Sequence, residues 1–133
     1  MTERPTITGF HHVTLTVTDV DRSSEWYLDV LGFELRAAIP HPEFKRVALR
    51  HPDMTTLLTL INHPTTTGEF DETRTGLDHV AFAVASADDV DRWASWLDEK
   101  GVPRSEVKDG ALPGSRLITF RDPDGIQVEC YYS

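Results

Sequence analysis

Apolar and polar residues alternate along "HHVTLTV" (11–17), with Val13, Leu15 and Val17 on one side and His12, Thr14 and Thr16 on the other. A period of two predicts a strand with one covered face and one open face. The pattern returns: "TGFHHVTLTV" (8–17) and "TGLDHVAFAV" (75–84) share Thr, Gly, His, Val and the closing Val in place. Each segment then changes to helical spacing. In "DVDRSSEWYLDVLGF", Trp26, Tyr27, Val30 and Leu31 form the apolar stripe and Gly32 is placed to end it. In "SADDVDRWASWLDEKG", Ser86 can cap, Asp89 stands at the capping-box position, Val90, Trp93 and Leu97 form the stripe and Gly101 ends it.

Further strands are expected at about 33–38, 46–50 and 57–62, and again near 103–107 (a weak segment), at 116–121 and at 126–132. "RHPDM" (50–54) and "RDPDG" (121–125) are matching hairpin turns. The chain is therefore β-α-β-β-β written twice: module 1 over about 8–62, a polar linker over about 63–75, and module 2 over about 76–132. One helix covers only one face of a four-stranded sheet. Two such modules side by side would curl into a cup with the helices outside and a ligand cavity within. The expected fold is α+β: two tandem βαβββ modules in a curved, barrel-like mixed sheet, one domain over 1–133.

The apolar faces belong under the helices, so His12 and His79 are expected on the cup side. His11 and Asp78 fall on the apolar face at a strand start, so His12 rather than His11 is the candidate. In the last strand Ile126, Val128 and Cys130 form one face, and Gln127, Glu129 and Tyr131 the other. Burying a lone carboxylate is costly without a partner. Two histidines and one glutamate converging on a cavity make a facial metal triad with open positions, suited to Fe, Mn, Zn, Co or Ni. Bland readings stand beside this one. A strand histidine often serves as a hydrogen-bonded structural residue, and Glu129 can pair with Arg116 or Arg121. His41 and His63 flank loop prolines and His51 sits in a turn, so they are weaker candidates.

Composition narrows the class. A net charge of −9 with scattered basic residues disfavours nucleic acid as a partner. No apolar run suits a membrane span, and "MTERPTITG" has no secretion signal, so a cytoplasmic location is expected. The single cysteine, Cys130, forms no internal disulfide and lies in an apolar strand, where it reads as a buried hydrophobe.

The patterns "HHVTLTVTD…WYLDVLGF", "DHVAFAV" and "FRDPDGIQVECYY" resemble the vicinal oxygen chelate superfamily, which includes glyoxalase I, methylmalonyl-CoA epimerase, fosfomycin-resistance thiol transferases, extradiol dioxygenases and bleomycin-binding proteins. The resemblance covers about 8–132. It implies one divalent metal ion held by His12, His79 and Glu129, and a small substrate chelated through adjacent oxygens. A fourth ligand position falls at Leu58 or Thr59, where glyoxalase I and the epimerase carry Glu or Gln. One carboxylate alone leaves two-base proton transfer without its second group. The open three-ligand set is nearer to the dioxygenases and thiol transferases. Thr14 matches a threonine of the transferases, and Thr119 stands where transferases and dioxygenases carry a tyrosine. The histidine that dioxygenases place near Gly110 is missing. Glu129, Thr14, Thr119 and Tyr131 are the catalytic candidates, with Gln127 a further substrate contact. The resemblance also implies a homodimer. The competing reading is a non-catalytic protein that sequesters a drug or metabolite.

Overall fold

The computed structural model describes residues 2–133. Its contacts divide the chain into two compact units, Met1–Thr66 and Thr67–Ser133. The first contains β1 (His12–Thr16), α1 (Val20–Leu31), β2 (Glu34–Ala38), β3 (Lys45–His51) and β4 (Met54–Asn62). The second contains β5 (His79–Ala83), α2 (Ala87–Glu99), β6 (Lys108–Asp109), β7 (Arg116–Arg121) and β8 (Gln127–Tyr132). Each unit forms its own mixed four-stranded sheet, in the orders β1-β4-β3-β2 and β5-β8-β7-β6. The fold is α+β, with the βαβββ motif occurring twice.

In both units the first strand pairs in parallel with the last, and the remaining strands are antiparallel. The registers correspond. His12 faces Leu57 and Thr14 faces Thr59, while His79 faces Gln127 and Ala81 faces Glu129. Alternation then separates the faces as the sequence pattern requires. Leu15, Val17, Leu49, Leu58 and Leu60 are buried with Tyr27, Val30 and Leu31 of α1, whereas His12, Thr14 and Thr16 are exposed. In the second unit Ile118, Phe120, Val128 and Cys130 are buried with Val90, Ala94 and Leu97 of α2. Ala94, one turn below Val90, takes the fully buried position expected for Trp93, which stays half-buried.

Local signals set the helix ends. The Asp19 side chain accepts from Arg22 N, and Ser86 Oγ accepts from Asp89 N. Gly32, at φ +79°, returns its N–H to Leu28 O. Gly101, at φ +69°, bonds Asp98 O while Val102 N bonds Leu97 O, which satisfies the last carbonyls of α2.

The weak strand expected near 103–107 is corrected. Only Lys108–Asp109 forms a strand, with an isolated bridge between Arg104 and Phe120. Pro103 has no N–H to donate. Between the bridge and β6 the register slips by one residue, and Ser105 Oγ accepts from the Thr119 N–H. The outer strand of the first unit slips too, between Leu35 and Ala37. The duplication thus extends to an outer-strand bulge.

His51 ties the first hairpin to its helix. The Asp53 N–H donates to Nδ1 at 3.1 Å, so Nε2 carries the proton and donates to Leu31 O at 2.8 Å. The bond satisfies a carbonyl at the end of α1. We expect His51→Ala to lower unfolding free energy by about 1–2 kcal/mol in urea melts.

Cys130 is buried, and desolvation pushes its thiol up to about 12 from an ordinary 9.0. The native thiol should therefore resist alkylation. Above pH 9 the unfolded chain loses this proton while the folded chain keeps it. Unfolding is favoured by about 1.4 kcal/mol per pH unit over that window. Chemical denaturation between pH 8 and 11 should show this slope, and Cys130→Ala should flatten it.

Candidate functional site

The second unit brings several candidates onto one sheet face. Glu129 lies between Ala81 of β5 and Thr119 of β7, and His79 pairs with Gln127. Residues facing each other across strands share a side of the sheet, so His79, Thr119, Gln127, Glu129 and Tyr131 project together. Glu129 is 7% exposed, although it carries a carboxylate. Gln127 Nε2 donates to its Oε2 at 2.8 Å, and His79 Nε2 lies 3.8 Å from the same oxygen. The arginine partners considered for Glu129 are engaged elsewhere: Arg116 bonds Asp91 at 2.8 Å and Arg121 approaches Glu72 at 3.3 Å.

His79 is oriented from its other ring nitrogen. Nδ1 lies 2.6 Å from Asp78 Oδ1. A carboxylate only accepts, so Nδ1 donates to it and Nε2 is turned toward Glu129. Nε2 and the buried Glu129 oxygen thus lie side by side as the two ligand-type atoms of this unit. At ligand distances of about 2.1 Å, adjacent donors sit about 3.0–3.4 Å apart, so a small side-chain rotation closes this pair on an ion. A carboxylate on the far nitrogen is also how metal-bound imidazoles are commonly held. The donor set of this unit fits a divalent metal in chemistry and in spacing.

The first unit repeats the arrangement in part. His12 Nδ1 lies 2.9 Å from His11 Nδ1, so His11 stands to His12 as Asp78 stands to His79. Thr14 shares a face with His12, and Thr59 lies opposite Thr14. Thr59, buried at 7% exposure, occupies the register position of Glu129. The ladder thereby selects Thr59 over Leu58, which lies on the helix-covered side. Among the described residues, no group of three or more His, Cys, Asp or Glu is gathered to hold a metal ion. Each unit by itself carries part of a set: His12 with Thr14 in one, His79 with Glu129 in the other.

Thr119 and Tyr131 are both half-buried. A β-carbon on Gly110 would lie 2.5 Å from the Tyr131 hydroxyl and would also collide with Ser115 Oγ. The place where the dioxygenase pattern has a histidine is therefore filled by the Tyr131 and Ser115 side chains.

Strand alternation alone passed over Asp78 and His11, which contact Nδ1 of the two strand histidines. The repeat alignment carried the signal, since both directly precede the aligned histidines in "TGFHHV" and "TGLDHV". The contact from Gln127 to Glu129 had a weaker trace, as an i, i+2 pair on one strand face.

The model of the Glyoxalase/Bleomycin resistance protein/Dioxygenase superfamily matches residues 9–130. The chain belongs to this superfamily. A glyoxylase/bleomycin resistance protein/dioxygenase domain from Frankia sp. EAN1pec superposes with a TM-score of 0.85 at 30% identity, covering 96% of this chain and 99% of that one. YwkD of Bacillus subtilis is 28% identical, covering 92% of this chain and 95% of the relative. The metallothiol transferase FosB of Staphylococcus haemolyticus is 26% identical, covering 94% of this chain and 84% of its own length. Superfamily membership agrees with the repeated strand histidines and the "DPDG" turn that precedes Glu129.

The crowding at Gly110 yields a direct test. Gly110→Ala should force Tyr131 and Ser115 apart and cost about 1–3 kcal/mol of stability, as overpacking does. Thermal melts check this, with Gly114→Ala less informative because its φ is +75°.

Proposed function

We propose that the protein is a divalent-metal-dependent enzyme acting on a small molecule that binds the metal through adjacent oxygens. The observation that carries this reading is the His79–Glu129 pair: an imidazole nitrogen and a buried carboxylate oxygen 3.8 Å apart, with Asp78 holding the ring from its other nitrogen. His12, held at Nδ1 by His11, would supply the third ligand, either from the same chain or from a partner in a homodimer. The ion would be Fe, Mn, Zn, Co or Ni, and bound there it supplies Lewis acidity and a template for the substrate oxygens.

The chain's own residues would do the rest. Gln127 holds the Glu129 carboxylate, and Asp78 orients the His79 ring from Nδ1. Thr14 and Thr119 offer hydroxyls beside the ligands, and Tyr131 offers a third. Thr59 cannot remove a proton from carbon as a carboxylate can. This favours chemistry that needs open coordination positions, of the dioxygenase or thiol-transferase kind, over two-base isomerisation. Likeness to the metallothiol transferase FosB supports the same direction. No helix among the described residues is long and apolar enough to cross a membrane.

Metal binding tests the proposal. Protein dialysed against Mn²⁺, Zn²⁺, Fe²⁺, Co²⁺ and Ni²⁺ should retain one ion per site by elemental mass spectrometry. His79→Ala should weaken retention at least tenfold, and Asp78→Asn by about 10- to 100-fold through loss of the orienting bond. His51→Ala, distant in role, should leave it unchanged. Unaltered metal affinity in His79→Ala and Glu129→Gln would overturn the assignment and favour a metal-free binding protein.

A further inference from the structure

Arg46 lies on β3 on the same sheet face as Thr14 and Thr59. Its partner across the ladder is Ile61, two residues beyond Thr59 on β4, and Thr16 lies beyond Ile61 on β1. Arg46 is therefore about 7 Å along the strand direction from the register position equivalent to Glu129. It has no ion-pair partner among the described residues, and its Nε is buried without a hydrogen bond. Neighbouring Lys45 is already paired with Asp21 at 2.6 Å. Arg46 is half-buried, and an N–H shut away from water with nothing to donate to is costly to keep.

Beside Arg46 is a cavity of about 560 Å³, within the range usual for small-molecule sites. Arg46 and Phe44 both line it, with the guanidinium carbon 5.2 Å from the Phe44 ring centre. His41 stacks on Phe44 at 3.7 Å with the rings 12° from parallel, and His63 lies 5.6 Å from Phe44. Pro40, Pro42 and Pro64 also line the cavity. Prolines have fixed φ and no N–H, so these walls are stiff and offer few donors. The result is an aromatic, largely apolar recess with one unused cation.

We infer that Arg46 receives the anionic end of the substrate, and that the substrate is a small aromatic carboxylate. The planar guanidinium fork matches a carboxylate, and the Phe44 cluster offers ring surfaces for the aromatic part. Glu43 also lines the cavity, and its negative charge favours a singly charged group over a phosphate dianion. This inference rests on reading this face of the first sheet as the substrate side. It names the substrate class for the proposed site and assigns Arg46 as a specificity-determining residue.

Benzoate and its uncharged counterpart benzamide are the probes, titrated into wild-type protein by calorimetry with and without chelator. Wild-type protein should bind benzoate at least tenfold more tightly than benzamide. Arg46→Gln should abolish that preference, and Phe44→Leu should weaken both probes. Arg46→Lys should restore only part of the preference, because the fork is lost. Melting temperatures should not fall in Arg46→Gln, since no hydrogen bond to Nε is removed. Equal binding of the two probes, no binding of either, or an intact preference in Arg46→Gln would overturn the inference. Metal content measured on the same samples separates the two proposals. His79→Ala should lose metal but keep the charge preference, and Arg46→Gln should keep metal but lose the preference.

Discussion

The arrangement depends on one constraint: in each module the first strand hydrogen-bonds in parallel to the last. A parallel pair cannot be closed by a tight turn, so the chain must cross over through a helix and return through two antiparallel strands. That crossover covers one sheet face and leaves the other open. The parallel register then decides which side chains meet there. It sets His79 beside Gln127 and Ala81 beside Glu129, and it sets Thr59 where the second module has its glutamate. A slip of one residue would turn every candidate toward the helix.

Duplication gave the two modules the same frame and different chemistry. Both hold a strand histidine by Nδ1 through the residue before it, a carboxylate in one module and an imidazole in the other. Both carry an outer-strand register slip. They diverge at the register position where one has Glu129 and the other Thr59. That divergence bears most strongly on the proposed chemistry, because it leaves Glu129 without a carboxylate counterpart at the equivalent register position of the first module. Arg46 adds a second asymmetry. The first module contributes a cation with no ion-pair partner among the described residues and an aromatic recess, while the second contributes the proposed acidic ligand.

Much of this was legible in the chain. Strict alternation in two short segments assigned His12 and His79 to the open face. The aligned repeats gave the βαβββ motif, and Gly32, Ser86 and Gly101 marked helix ends through local chemistry that needs no distant partner. The buried-face assignment of Cys130 followed from the same period. Such features are local, or follow from one period, and so they survive without knowledge of the neighbours.

Tertiary structure decided whatever depends on which strands sit side by side. Register across β1 and β4 chose Thr59 over Leu58, a difference of one residue that no single-strand pattern can resolve. Pairing with β7 moved the weak strand to Lys108–Asp109, because Ser105 and Pro103 interrupt the ladder there. Side-chain geometry showed Asp78 orienting His79, Gln127 rather than an arginine beside Glu129, and the Nε of half-buried Arg46 without a hydrogen bond among the described residues. The physical reason is common to all of them: hydrogen bonds and desolvation act between residues distant in sequence, and only the folded chain brings those residues within reach.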